Sequence, residues 1–175
     1  MAARLSYHLS YARLCDLGLR DPNERPSIPK RMPRHEPPFG FSVFRARLAD
    51  TLDLSGLSLS RSFFGRSEIN RVSFRNTDLH ESNLCWNNLL GTDFTDADLA
   101  RSDMRSSIFQ QVVFVNANLD GADLRRSSFI DCNFEGATMR GVALTREQCP
   151  TTHLSEAQRL AVNWHEDNGP EPEGG

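Results

Sequence analysis

From Leu54 to Leu144 every fifth residue is Leu, Ile, Phe or Met, without one slip of register. The nineteen centre positions are Leu54, Leu59, Phe64, Ile69, Phe74, Leu79, Leu84, Leu89, Phe94, Leu99, Met104, Phe109, Phe114, Leu119, Leu124, Phe129, Phe134, Met139 and Leu144. The position two before each centre is also restricted: it holds Leu52, Leu57, Val72, Ala97, Val112, Ala117, Ala122, Cys132, Ala137 or Val142, and Ser, Thr or Asn in the remaining repeats. An amphipathic helix requires a period of 3.6 and a half-buried strand a period of 2, and neither describes this stretch. A short fixed repeat predicts a solenoid, whose coils bury their apolar side chains against one another.

The most regular copies read Ala97-Asp98-Leu99-Ala100-Arg101, Ala117-Asn118-Leu119-Asp120-Gly121 and Ala122-Asp123-Leu124-Arg125-Arg126. They resemble the pentapeptide repeat family, whose signature is Ala-(Asp/Asn)-Leu followed by two variable residues. The match runs from about Phe41 to Arg146 and rests on nineteen consecutive in-phase copies. The resemblance implies an all-β solenoid, a right-handed quadrilateral β-helix of about five coils. Four pentapeptides would make one coil, with the centre and the residue two before it turned inward and the other three positions facing solvent.

Residues twenty apart would then stack. Column one would hold Leu54, Phe74, Phe94, Phe114 and Phe134; column two Leu59, Leu79, Leu99, Leu119 and Met139; column three Phe64, Leu84, Met104, Leu124 and Leu144; column four Ile69, Leu89, Phe109 and Phe129. Four phenylalanines fall in column one and none in column two, the sorting that ring-on-ring stacking would select. On this scheme Phe94→Ala should be costly, Ala100→Ser on the outer surface should cost little, and a one-residue insertion near Leu99 should be worst.

The flanks differ in kind. Residues 1–40 predict a short helix within Arg4 to Leu19, with Leu5, Leu9, Ala12 and Leu19 on one face, then a linker or strap carrying Pro22, Pro26, Pro29, Pro33, Pro37 and Pro38. Residues 41–146 are the repeat; between Phe39 and Cys149 there is no proline, which keeps every amide available to neighbouring coils. Residues 147–165 predict a C-terminal capping helix, because Ser155 with Gln158 three residues on forms a capping box and Leu160 and Trp164 supply an apolar side. An open solenoid end exposes apolar surface, so Leu160 and Trp164 are the expected plug, or contacts of a dimer. The tail, 166–175, is read as disordered.

A net charge of −3, with twelve arginines against thirteen acidic residues between Phe41 and Arg146, argues against a nucleic-acid-binding surface. No stretch is apolar enough for a signal peptide or a membrane span, so the expected compartment is the cytoplasm and no membrane contact is expected. Cys15, Cys85, Cys132 and Cys149 lack paired spacing and are read as reduced thiols.

No metalloprotease, nucleophile-elbow, phosphate-loop, dinucleotide or zinc-finger motif occurs, so no catalytic residue, cofactor or metal ligand is assigned. Asp78, Asp93, Asp98, Asp103 and Asp123 fall on the acidic position of the repeat, and Ser62, Ser67, Ser82, Ser102, Ser107 and Ser127 on its small inward position. His80 and Cys85 lie on successive faces and diverge around a corner, which makes them poor partners for a metal.

Outward positions are where binding should be sought. On the fourth face and its edges, apolar residues take places that are polar elsewhere: Trp86, Leu90, Ile108, Val113, Val115 and Ile130. Such a cluster marks an interface or is covered by the N-terminal segment. The reading is a non-enzymatic, rigid protein–protein interaction module with an unidentified protein partner or a homodimer. The resemblance also implies an alternative: some family members are acidic, DNA-like rods that bind DNA gyrase or topoisomerase IV, type II topoisomerases, and confer resistance to antibiotics or immunity to toxins. The near-neutral repeat departs from that pattern.

Overall fold

The computed structural model describes residues 3–24, 27–35, 41–49 and 52–167. Within them the chain winds into a parallel solenoid closed at both ends. From Leu54 onward each coil advances twenty residues: Asp53 bridges Ser73, Ser73 bridges Asp93, Asp93 bridges Val113 and Val113 bridges Asn133, all parallel. All nineteen centre side chains are buried. The aromatic column stacks as its phase requires, with Phe74–Phe94, Phe94–Phe114 and Phe114–Phe134 centroids at 5.0, 5.4 and 4.9 Å and planes within 10°. These spacings are those of neighbouring strands, so the ring ladder and the backbone ladder run at one pitch.

The corners explain a second regularity. In eighteen of the nineteen repeats, Arg146 being the exception, the residue two after the centre has positive φ, from Gly56 at 71° to Asp131 at 51°. Left-handed backbone disfavours β-branched side chains, and none of the nineteen positions holds Val, Ile or Thr. Five of them are glycine: Gly56, Gly91, Gly121, Gly136 and Gly141.

Among the described residues, only the fourth face forms a continuous sheet. Labelling strands in chain order, β1 is Ser42–Phe44, β2 Arg47–Leu48, β3 Phe63–Gly65, β4 Glu68–Asn70, β5 Asn88–Leu90, β6 Ile108–Gln110, β7 Ser128–Ile130, β8 Ala143–Thr145 and β9 Asn163–His165. The five-stranded parallel sheet has the order β2-β4-β5-β6-β7. The first coil begins earlier than the phased repeat: Val43 pairs with Phe64 and Leu48 with Ile69, an offset of 21 instead of 20. One extra residue before Leu54 takes Val43 and Leu48 out of phase with the period of five, although both are buried as column members.

The N-terminal helix, α1 (Tyr7–Asp16), is capped by Ser6, whose hydroxyl accepts from Leu9 N. It closes the first end of the solenoid: Leu14 joins the core, Leu5 N donates to Gly56 O at 2.8 Å and Ser58 N donates to Ser10 Oγ at 2.8 Å. The proline segment lies against the rod as a strap, held where Arg61 Nη1 donates to Pro29 O and Asn83 Nδ2 to Pro33 O, both at 3.0 Å. Pro26, Pro37 and Pro38 lie outside the described residues.

The C-terminal end departs from expectation. After β8 the chain passes through a single 3-10 turn (Arg146–Gln148) into α2 (Cys149–Thr152) and α3 (Glu156–Ala161). The Ser155–Gln158 capping box forms, but the helix ends at Ala161, and Trp164 sits in β9, stacked in register on Leu144. Trp164 therefore extends column three, packed against the core from a strand instead of a helix. Leu160 is corrected as a plug: it is 82% exposed, and Leu154 and Val162 are the buried side chains of this cap. α3 buries none of its own residues, because the 20-residue phase of the last coil is carried by β9 beside it. Glu166 and Asp167, expected in a disordered tail, pair with Arg146 at 2.7 Å and Arg126 at 3.2 Å. The tail from residue 168 lies outside the described residues.

Candidate functional site

The inner rows leave little room for chemistry. The small inward serines are buried, and their hydroxyls are consumed by backbone: Ser102 Oγ donates to Leu99 O at 2.7 Å, Ser107 Oγ to Leu84 O at 2.9 Å and Ser127 Oγ to Met104 O at 2.8 Å. They also link coils. Ser107 N donates to Ser127 Oγ and Asn87 N to Ser107 Oγ, both at 3.1 Å, so a polar ladder climbs beside column four. Gln148 ends it by donating through Nε2 to Leu124 O and Ser127 O, at 2.8 and 2.7 Å. Each hydroxyl satisfies a buried carbonyl, which is a structural duty.

The outward acids are largely answered by arginine. Arg75 Nη1 meets Asp93 at 2.8 Å, Arg105 forks onto Asp103, Arg125 onto Asp123, Arg140 onto Asp120, and Glu81 lies between Arg61 and Arg101. Burial pushes the Asp103 carboxyl up, but the Arg105 fork and the Cys85 thiol outweigh it and hold the group below the usual carboxylate range. Burial, with Asp103 beside it, raises the Cys85 thiol far above its ordinary range, so it is a poor nucleophile.

The fourth face is different. Its outward side chains form two rows flanking the inward centres: Glu68, Asn88, Ile108 and Ser128 on one side, Asn70, Leu90, Gln110 and Ile130 on the other. Ile108 therefore sits diagonally between Leu90 and Ile130. Trp86 stands at the corner before β5 in left-handed backbone, with the Arg66 guanidinium over its ring at 5.9 Å. Trp86, Ile108 and Ile130 are 61, 45 and 47% exposed, while Leu90, Val113 and Val115 are half-buried. Val113 lies across the next corner on face one, bridged to Asp93 and Asn133. Val115 is farther off, on the far side of Phe114, and does not join the cluster on face four.

Neither N-terminal element covers this cluster among the described residues. α1 occupies the end of the rod, Arg4 Nε reaches Asn76 O at 2.8 Å on face one, and the strap crosses near Arg61 and Asn83. His80 has company that sequence spacing did not bring out: its Nδ1 lies 2.7 Å from Asp78 Oδ1, and Asp98 stands one coil above. The signal was the twenty-residue offset between Asp78 and Asp98.

Comparison with known proteins agrees with this architecture. Residues 77–114 and 107–146 match the family model for pentapeptide repeats, with eight copies. Among solved structures, the chain is similar to a pentapeptide repeat protein, Rfr23, from the cyanobacterium Cyanothece 51142, at 21% identity and a TM-score of 0.53 over 56% of this chain and 80% of that one. It is also similar to HetL of Nostoc sp. strain PCC 7120, a pentapeptide repeat protein involved in heterocyst differentiation regulation, at 22% identity and a TM-score of 0.56. That match covers 78% of this chain but half of HetL. No curated protein matches the chain.

Proposed function

We propose that this solenoid, whose residues 77–114 and 107–146 match the pentapeptide-repeat model, works as a rigid, non-enzymatic protein-binding module that docks an as yet unidentified protein partner, or a second copy of itself, on face four. The observation that carries this reading is the exposure of Ile108 and Ile130 on the sheet that is continuous among the described residues, with Trp86 exposed at the corner leading into it. Aromatic and aliphatic side chains standing clear of a polar surface favour docking, and a flat, preformed sheet loses little entropy on binding. The topoisomerase alternative calls for an unbroken acidic surface, and the arginine pairs of Asp93, Asp103, Asp120 and Asp123 supply none.

The test is a comparison of surfaces. Immobilised wild-type protein and the variants Trp86→Ala, Ile108→Arg and, on face two, Arg140→Ala are exposed to lysate of the native cell and to purified protein. Retention of one partner, or of a second copy, that is lost with the face-four variants and kept with Arg140→Ala supports the reading; equal retention by all contradicts it. Relief of quinolone or toxin inhibition in a gyrase supercoiling assay would favour the alternative instead.

A further inference from the structure

Asp78, His80 and Asp98 each offer one donor atom, and the three atoms lie within 4.8 Å of one another on face two. We propose that they form a site for a divalent transition-metal ion of the zinc class.

The argument starts from charge. Other acids on the same row of the repeat meet arginine: Asp93, Asp103 and Asp123 each have a guanidinium within 3 Å. Asp78 and Asp98 stack directly, one coil apart; the ion-pair partner beside them is the His80 imidazole on Asp78, while the neighbouring Arg4 guanidinium is taken up by the carbonyls of Asn76 and Asp96. Two carboxylates at strand spacing repel, and a cation between them removes that cost.

The donor chemistry then selects the cation. One imidazole nitrogen and two carboxylate oxygens suit zinc, cobalt or manganese better than calcium, which prefers an all-oxygen shell. Zinc bonds of about 2.0–2.2 Å place tetrahedral ligand atoms roughly 3.4 Å apart, so the present spacing needs only side-chain adjustment on a fixed backbone. Support for the ligands is already built. Asp78 Oδ1 accepts from His80 N at 3.1 Å, and Asp98 Oδ1 accepts from Ala100 N and from Asn118 Nδ2, each at 3.1 Å. Among the described residues no hydrogen bond reaches the second oxygen of either carboxylate, which leaves one lone-pair-bearing oxygen on each side for a metal.

All three residues are half-exposed, so a bound ion would keep open positions for water or for a carboxylate or imidazole of another molecule. This is an exposed site and its affinity should be modest. It lies opposite the apolar cluster on the square coil, so it stands or falls independently of docking on face four.

The experiment is calorimetric titration of tag-free, chelator-treated full-length protein with Zn²⁺, repeated for His80→Ala, Asp98→Asn and the face-one control Asp96→Asn. The expected result is one Zn²⁺ per chain, weakened at least about tenfold in the first two variants and unchanged in the control. Co²⁺ absorption should show a nitrogen–oxygen site that disappears with His80→Ala. Circular dichroism confirms that each outward variant keeps the fold. No binding at millimolar Zn²⁺, or binding of equal strength in all four proteins, overturns the proposal.

Discussion

The inside of column one and the outside of face four obey different rules. Phe74, Phe94, Phe114 and Phe134 occupy one column at one pitch, each fully or almost fully buried between its neighbours, and any change there is felt by the coils above and below. On face four the outward rows are not held to one residue type: Glu68, Asn88 and Ser128 are polar, and the apolar Ile108 stands between Asn88 and Ser128. The solenoid dictates its interior and leaves its exterior to other pressures. A side chain that the fold does not need, yet is apolar and exposed, is therefore more informative about binding than any of the nineteen centres.

The sharpest way to break the contrast is to break the phase. A single residue inserted after Leu99 turns every later centre out of its column, so the variant should fail to show a cooperative unfolding transition by circular dichroism. The natural offset of 21 at Leu48 is tolerated because it falls in the first coil, where only α1 and the strap lie beyond. Phe94→Ala should cost about 3–5 kcal/mol in denaturant unfolding, since the ring is stacked on both faces and no neighbour can collapse into the gap. Next comes the corner rule. Ser106→Val places a β-branched side chain at φ 55° and should cost about 1–3 kcal/mol, while Ser106→Gly should be tolerated. Ile108→Thr, which keeps β-branching on a strand, should shift stability by no more than about 0.5 kcal/mol. Ala100→Ser, expected to be an innocuous outer change, is a poor control because Ala100 is only 9% exposed.

Much of this was legible in the sequence because a fixed period leaves one parameter to find. Once Leu54 to Leu144 are set in phase, the columns, the stacking and the face carrying Ile108 and Ile130 follow. Three things escaped, each for a physical reason. Val43 and Leu48 fall inside the repeat as bounded from the sequence, but one inserted residue takes them off the strict period, so they received no column. Trp164 was read as helical because the capping box at Ser155 announces a helix without saying where it stops; the hydrogen bond from Gly141 N to Ala161 O and the pairing of Leu144 with Trp164 return the chain to the solenoid. The Asp78–His80–Asp98 group was missed because Asp98 belongs to the coil after that of Asp78 and His80. Absence of Val, Ile and Thr two after each centre was visible throughout, and would have announced the left-handed corners.

The central claim is that the solenoid specifies the interior and leaves Ile108 free for a partner. It is tested most directly by measuring the unfolding midpoints of Phe94→Ala and Ile108→Thr in one urea series at unchanged slope. The account predicts a large drop for Phe94→Ala and a midpoint for Ile108→Thr within error of the wild type. Comparable drops in both would show that Ile108 is bound into the fold, and face four would lose its claim as a docking surface.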